Sequence, residues 1–254
     1  MKFMKKLYII FLLSASIALY GQDLHDKHSD LPCINQHFDV FVHLVKIHHP
    51  IPKEEIDLAV ELANKYFSPI CISFEICDID TAFNYNYNAL YNDALMREFA
   101  TLYKGNNKIN LYFVSGEIQG LRIQSWSFGK IGRDDSANIF IRIPQAFPYE
   151  LGHFFGLKST FRGNGEELVD GSNCKTAGDL ICDTPADPYR LGKKTTDYVK
   201  GCVFYYNKTD LNGDYYQPDV GNVMSYYFAC HCGFSYQQYK KMAENYYKSN
   251  IKYW

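Results

Sequence analysis

The sequence predicts an α+β fold, and three observations carry that expectation. Up to about residue 157, stretches with the alternation of a strand are interleaved with stretches that carry the spacing of an amphipathic helix. From 163 to 221 the texture changes to Gly, Asp, Asn, Pro and Cys with little periodicity. Five of the eight cysteines fall between 174 and 232, within or beside that irregular part.

Residues 1–21 read as a signal peptide. "MKFMKK" is a basic start, and "LYIIFLLSASIALY" is an apolar core too short and too rich in Ser for a comfortable membrane span. Residues 22–37 are polar and His-containing, a leader expected to be loose. The remainder, 38–254, is expected to form one domain with an N-terminal lobe (38–157) and a C-terminal lobe (158–254). "FDVFVHLVKI" (38–47) alternates like a strand. "PKEEIDLAVELANKYF" (52–67) opens on a helix-start signal and places Ile56, Ala59, Val60, Ala63 and Phe67 at helical spacing. "ICISFEICDI" (70–79) is a second strand, 89–103 has helical character, and "KINLYFVSG" (108–116) is a third strand. "NIFIRI" (138–143) is a fourth, short enough to suit a sheet edge. A helix follows. Proline is comfortable only in a first turn, so Pro148 places its start close to Tyr149. "SYQQYKKMAENYYKSNI" (235–251) closes the chain as a helix.

The chain carries 26 Lys and Arg against 28 Asp and Glu, a net charge of −2, and loss of residues 1–21 would remove three lysines and no acid. A mildly acidic surface without a Lys/Arg block argues against nucleic acid or an anionic membrane as partner. All eight cysteines lie beyond residue 21, and an even number in an exported chain favours disulfides over a metal cluster. In a regular strand Cys71 and Cys77 would stand about 20 Å apart, so they are expected to find other partners unless a bulge intervenes.

Chemistry concentrates in "PYELGHFFGLKSTF" (148–161). In H-E-x-x-H, two histidines one turn apart grip a zinc ion while the Glu acts as general base. In the longer form a Gly then turns the chain to deliver a third His. Here those positions read Tyr149, Glu150, His153, Gly156 and Ser159. The base, the second His and the turning Gly are present; a phenol and an alcohol replace the other two ligands. Alone, E-x-x-H arises by chance in many helices. It is followed in order by "ELVDGSNCKTAGDLICDTPADP" (167–188), "NVMSYY" (222–227) and "FSYQQYKKM" (234–242). With "VFVHLVKI" and "INLYFV" before it, the set resembles the pappalysin family of metzincin zinc metallopeptidases, its cytophagalysin-like branch in particular, over residues 38–245.

The resemblance implies a zincin fold: a twisted mixed sheet with a backing helix and an active-site helix, above a cleft and a smaller irregular lobe. It implies a zinc endopeptidase that binds an extended peptide along an edge strand. By position, Glu150 matches the general base and His153 the one surviving zinc ligand. Met224 matches the Met-turn, and Tyr226 a tyrosine that hydrogen-bonds the transition-state oxyanion. Asp179, Asp183 and Thr184 lie in a segment that holds calcium in some relatives.

The departures weigh against that chemistry. Zinc supplies the nucleophile by lowering the pKa of its water from about 15.7 to about 7. Losing a partner of a ligand already costs about 10–100-fold, so two missing ligands imply roughly 10⁴-fold or worse. Ser159 keeps its proton at neutral pH, and a phenol with a reference pKa near 10 makes Tyr149 an expensive ligand. Without zinc, Glu150 and His153 are expected to pair with each other or with Tyr149 and Tyr226. The other histidines offer little: His231 lies past the Met-turn, His43 reads as structural, and His48–His49 as a surface turn. Three readings follow: a secreted pseudopeptidase that binds a peptide or protein in its cleft, an active zinc endopeptidase with non-standard ligands, and a purely structural exported domain. Oligomeric state is not readable.

Overall fold

The computed structural model describes residues 30–45, 51–82, 92–114 and 124–251. The expected signal peptide, the start of the leader, and His25, His28, His48 and His49 lie outside these residues.

Among the described residues five strands form the sheet. They are β1 (Gln36–Val45), β2 (Ile72–Ala82), β3 (Ile109–Val114), β4 (Ser125–Phe128) and β5 (Ala137–Ile141), in the order β2-β1-β3-β5-β4. The first four in that order run parallel and β4 is antiparallel to β5. A parallel sheet must bury both faces, and every residue of β3 and β5 is buried. One face carries Phe38, Val40, Val42, Ile109, Leu111, Phe113, Ile139 and Ile141. Against it pack α1 (Lys53–Phe67) and α3 (Ala146–Phe154). The opposite face carries Val45, Tyr112, Val114 and Phe140 and is covered by α2 (Asp93–Tyr103) through Met96, Phe99 and Ala100. The expected elements are present to within a few residues, in a mostly parallel sheet with helices on both faces.

Two expectations are corrected here. "NIFIRI" is no edge: β5 lies between β3 and β4, and Ile139 and Ile141 are fully buried. The edge is β4, whose Ser-Trp-Ser-Phe is too short to stand out as a strand in sequence. The leader is tied down well before residue 38. Cys33 is disulfide-bonded to Cys71, Ile34 N–H donates to Ile70 O, and β1 begins at Gln36.

The other edge, β2, is covered in part by α1. Asn64 accepts from Phe74 N–H and donates to Phe74 O, standing in for a neighbouring strand. A register shift between Val40 and Phe41 leaves Cys77 unmatched, and its thiol donates to Val40 O. Cys71 and Cys77 thus do not pair. Cys174–Cys182 and Cys202–Cys230 staple the irregular part, while Cys77 and Cys232 are free thiols, so the even count does not resolve into four bridges.

Beyond α3 the chain is mostly turns, with a two-residue hairpin of β6 (Val199–Lys200) and β7 (Val203–Phe204), and it ends in α4 (Tyr236–Tyr247). Ser235 and Gln238 form a capping box at the start of α4, which satisfies two orphan backbone donors.

Candidate metal centre and its cleft

Helix α3 starts at Ala146, three residues before the expected position. Ala146 N–H and Phe147 N–H donate to Ile143 O and Pro144 O, so Pro148 still falls in the first turn, where its missing N–H leaves no helical bond unmade. Tyr149 therefore sits on a formed helix and is only 5% exposed. The helix closes with Gly156 in the left-handed region at φ 92°. Gly156 N–H donates to His153 O and Leu157 N–H to Gly152 O, the Schellman arrangement that only a residue without Cβ adopts easily. Asn245 of α4 clamps the turn by donating to Phe155 O. The turn delivers Ser159 back toward α3.

Ser159 and Tyr149 then meet. The two residues at the expected ligand positions bond to each other, Tyr149 Oη to Ser159 Oγ at 2.6 Å. His153 Nδ1 faces Leu157 O at 2.9 Å, which makes Nδ1 the protonated nitrogen and Nε2 the lone pair. That lone pair faces Ser159 Oγ at 3.5 Å, a long contact. Every requirement is met if Tyr149 donates to Ser159 and Ser159 to His153. Burial, reinforced by the Glu150 charge, pushes the Tyr149 phenol well above its usual pKa. The ring of Tyr149 packs edge-on against His153 at 4.6 Å and Phe228 at 5.4 Å.

Glu150 is almost fully buried, and its partner is neither His153 nor a tyrosine. Ser127 of β4 donates its hydroxyl to the Glu150 carboxylate. Tyr226 Oη accepts from Gln124 N–H at 3.0 Å, and burial pushes its phenol up to about 12. The expected pairing among Glu150, His153, Tyr149 and Tyr226 is thus replaced by bonds to Ser127, Ser159 and backbone. Ser127 and Gln124 escaped sequence reasoning because no strand was expected there. The polar–apolar alternation of Ser125–Phe128 was the available signal.

Met224 lies under the helix. Its backbone turn is held by Asn222 Oδ1 accepting from Met224 N–H, and Thr160 N–H donates to Met224 O. A Cβ on Gly152 would stand 2.3 Å from Met224 Sδ, so glycine is what lets the helix rest on this turn. His231 donates Nε2–H to Ser225 O and packs on Phe228. Burial pushes its pKa down to about 4. His43 is on the opposite sheet face, between Asp80 and Asn110. Neither joins His153.

Of the three residues in the expected calcium segment, the structure brings two together. Thr184 Oγ1 donates to Asp179, while the Asp183 carboxylate accepts from Ser235 Oγ and Gln237 N–H at the start of α4. Among the described residues no group of three or more His, Cys, Asp or Glu side chains is placed to hold a metal ion. The donor set at Tyr149, His153 and Ser159 does not fit zinc: it offers one imidazole, one phenol held protonated and one alcohol already bonded to it.

Two cavities adjoin the centre. One, of about 500 Å³, is walled by Tyr189, Tyr226, Tyr227 and Phe228 and rimmed by Lys193 and Lys194. The other, of about 320 Å³, opens on His153 and Ser159 and carries Lys158 and Arg162.

No family model matches the sequence, and no curated protein does. Solved structures do. A promirolysin mutant from Tannerella forsythia is similar over 94% of this chain and 90% of that one, with a TM-score of 0.55 and 14% identity. Metalloproteinase-II from Bacteroides fragilis is similar over 51% of this chain and 45% of its own length, with a TM-score of 0.41 and 11% identity, too slight a likeness to bear weight. The fold is that of a metallopeptidase.

Proposed function

We propose that this chain is an exported protein of metallopeptidase fold that has lost peptide-bond hydrolysis and keeps its cleft to hold an extended peptide or protein segment. The observation that carries this reading is the bond between Tyr149 and Ser159, which turns two ligand positions toward each other. A hydrolytic site of this kind works by presenting lone pairs to a cation. This one presents a hydroxyl proton to the last of them. The resemblance to the pappalysin family supplies the rest: Glu150, Met224 and Tyr226 keep their places around α3 as scaffold, with no metal for them to serve. Three disulfides, and the lack of any helix among the described residues long and apolar enough to cross a membrane, accord with export.

Edge strand β4 is where a peptide would lie. Gln124 O accepts from Arg142 N–H, so by the alternation of an antiparallel pair the outward-facing backbone groups are those of Ser125 and Ser127. The test has two arms. Elemental analysis of purified protein should find no stoichiometric zinc, and casein should stay intact with or without chelator. Capture from a random peptide library should succeed with the native chain and fail with Ser125→Pro, which removes an outward N–H but no bond to β5. Chelator-sensitive proteolysis would make the protein an enzyme. Failure of capture would leave the structural reading.

A further inference from the structure

We infer that the cleft takes an acidic peptide: an extended segment lying along β4, with carboxylate side chains received by Lys193 and Lys194 in one cavity and by Lys158 and Arg162 in the other. This rests on the peptide-binding reading above and adds the chemistry of the ligand.

The charge is segregated. Over the whole chain acids outnumber bases, 28 to 26. Yet the residues lining the two cavities include four cations and no carboxylate. Five basic side chains elsewhere are paired, Lys53 with Asp57, Arg97 with Asp93, Lys108 with Asp39, Arg133 with Asp134 and Lys248 with Glu244, although most other surface lysines and arginines among the described residues are not. Among the described residues none of the four cleft cations forms an ion pair.

Cations also crowd one another here. Partial burial and then the charges of Arg162, Lys130 and Lys241 hold the Lys158 ammonium below its usual pKa, with buried Asp179 acting the other way. Arg142 lies near enough to Tyr226 to act on its phenol in the same sense. Unpaired like charges around a concave, low-dielectric wall focus a positive potential into it.

The platform is ordered. Tyr189 Oη donates to Lys193 O and Lys193 N–H to Arg190 O, while Arg162 N–H donates to Ser159 O. Both cation pairs thus stand on turns bonded to the residues that wall the centre. The first cavity is floored by four aromatic rings, so an acidic segment carrying one apolar or aromatic side chain would fill it with both its charge and its body.

The experiment compares three peptides of about twelve residues, identical but for Glu, Gln or Lys at four positions. Binding is read by fluorescence anisotropy at low and high salt. The Glu peptide is expected to bind about tenfold tighter than the Gln peptide at low salt, and the advantage should shrink at high salt. Lys193→Glu with Lys194→Glu, and separately Lys158→Glu with Arg162→Glu, should each remove about threefold to tenfold of the Glu peptide's affinity while leaving the melting temperature in place. Three of these side chains are exposed and Lys158 is half-buried, so the fold does not depend on them. If all three peptides bind alike and Ser125→Pro abolishes all of them, the cleft holds peptides and the acidic specificity is wrong. If no peptide binds at all, the peptide-binding reading itself fails. A sulfated polysaccharide that displaces the Glu peptide and binds Ser125→Pro as tightly as the native chain would also overturn the inference, because the cations would then serve a glycan.

Discussion

At Tyr149 and Ser159, where the family resemblance would place two imidazoles, a phenol and an alcohol form a bond of their own. A buried phenol needs an acceptor, and the alcohol delivered by the Gly156 turn provides one at 2.6 Å. Because α3 and its turn are fully formed, Tyr149→His combined with Ser159→His is expected to take up zinc in stoichiometric amount, measurable by elemental analysis, while each single variant stays far weaker. A folded double variant that takes up none would show that the turn does not bring position 159 to the metal. His231 sets a second test at this scale. It is neutral in the fold because burial drops its pKa from 6.5 to about 4. Unfolded chains bind its proton below about 6.5 and folded ones only near 4, so its contribution is present above 6.5 and is lost as pH falls toward 4. Thermal melts from pH 7 to 4 should show the stability gap between the native chain and His231→Asn changing only within that window.

Among the elements, α3 depends on what lies beneath it. Gly152 has no room for a methyl group above Met224. Gly152→Ala would raise helix propensity at an exposed position, but here it should destabilise by about 1–3 kcal/mol, read from denaturant melts, because the turn must shift. A neutral or stabilising result would mean that Met224 moves freely. Strand β4 acts through α3 as well, since Ser127 donates to buried Glu150. Such pairings explain the limits of the sequence. Helices α1 and α4 and strands β1, β2, β3 and β5 were legible because their apolar periods match the faces they bury. Strand β4 was not, because its residues are shaped by a helix and a turn distant in the chain.

For the whole molecule, burial of acids in the C-terminal part sets a pH dependence of opposite sign to that of His231. Burial and the neighbouring Asp179 and Asp187 raise Glu167 from 4.5 to about 8, and burial raises Asp179 from 3.8 to about 6. A folded pKa above the unfolded one means that the fold holds a proton the open chain has lost, so stability falls as pH rises between those values. Glu167→Gln is expected to raise the melting temperature at pH 8 and flatten the decline from about 4.5 upward. Millimolar calcium in the same melts tests the expectation for Asp179 and Thr184: stabilisation at pH 8 supports a cation there, and no shift removes calcium from the account.

The order of motifs, the turning Gly156 and the phenol and alcohol at two expected ligand positions could all be read from the residues, because local period and side-chain chemistry need no neighbours to be recognised. The partners of those residues were decided only by the tertiary structure. The pairing of Tyr149 with Ser159, the bond from Ser127 to Glu150, the interior place of β5 and the gathering of Lys158, Arg162, Lys193 and Lys194 around one centre all join segments far apart in the chain. Such meetings depend on how the sheet orders its strands and how the C-terminal turns close beneath α3, and neither leaves a local pattern in the sequence.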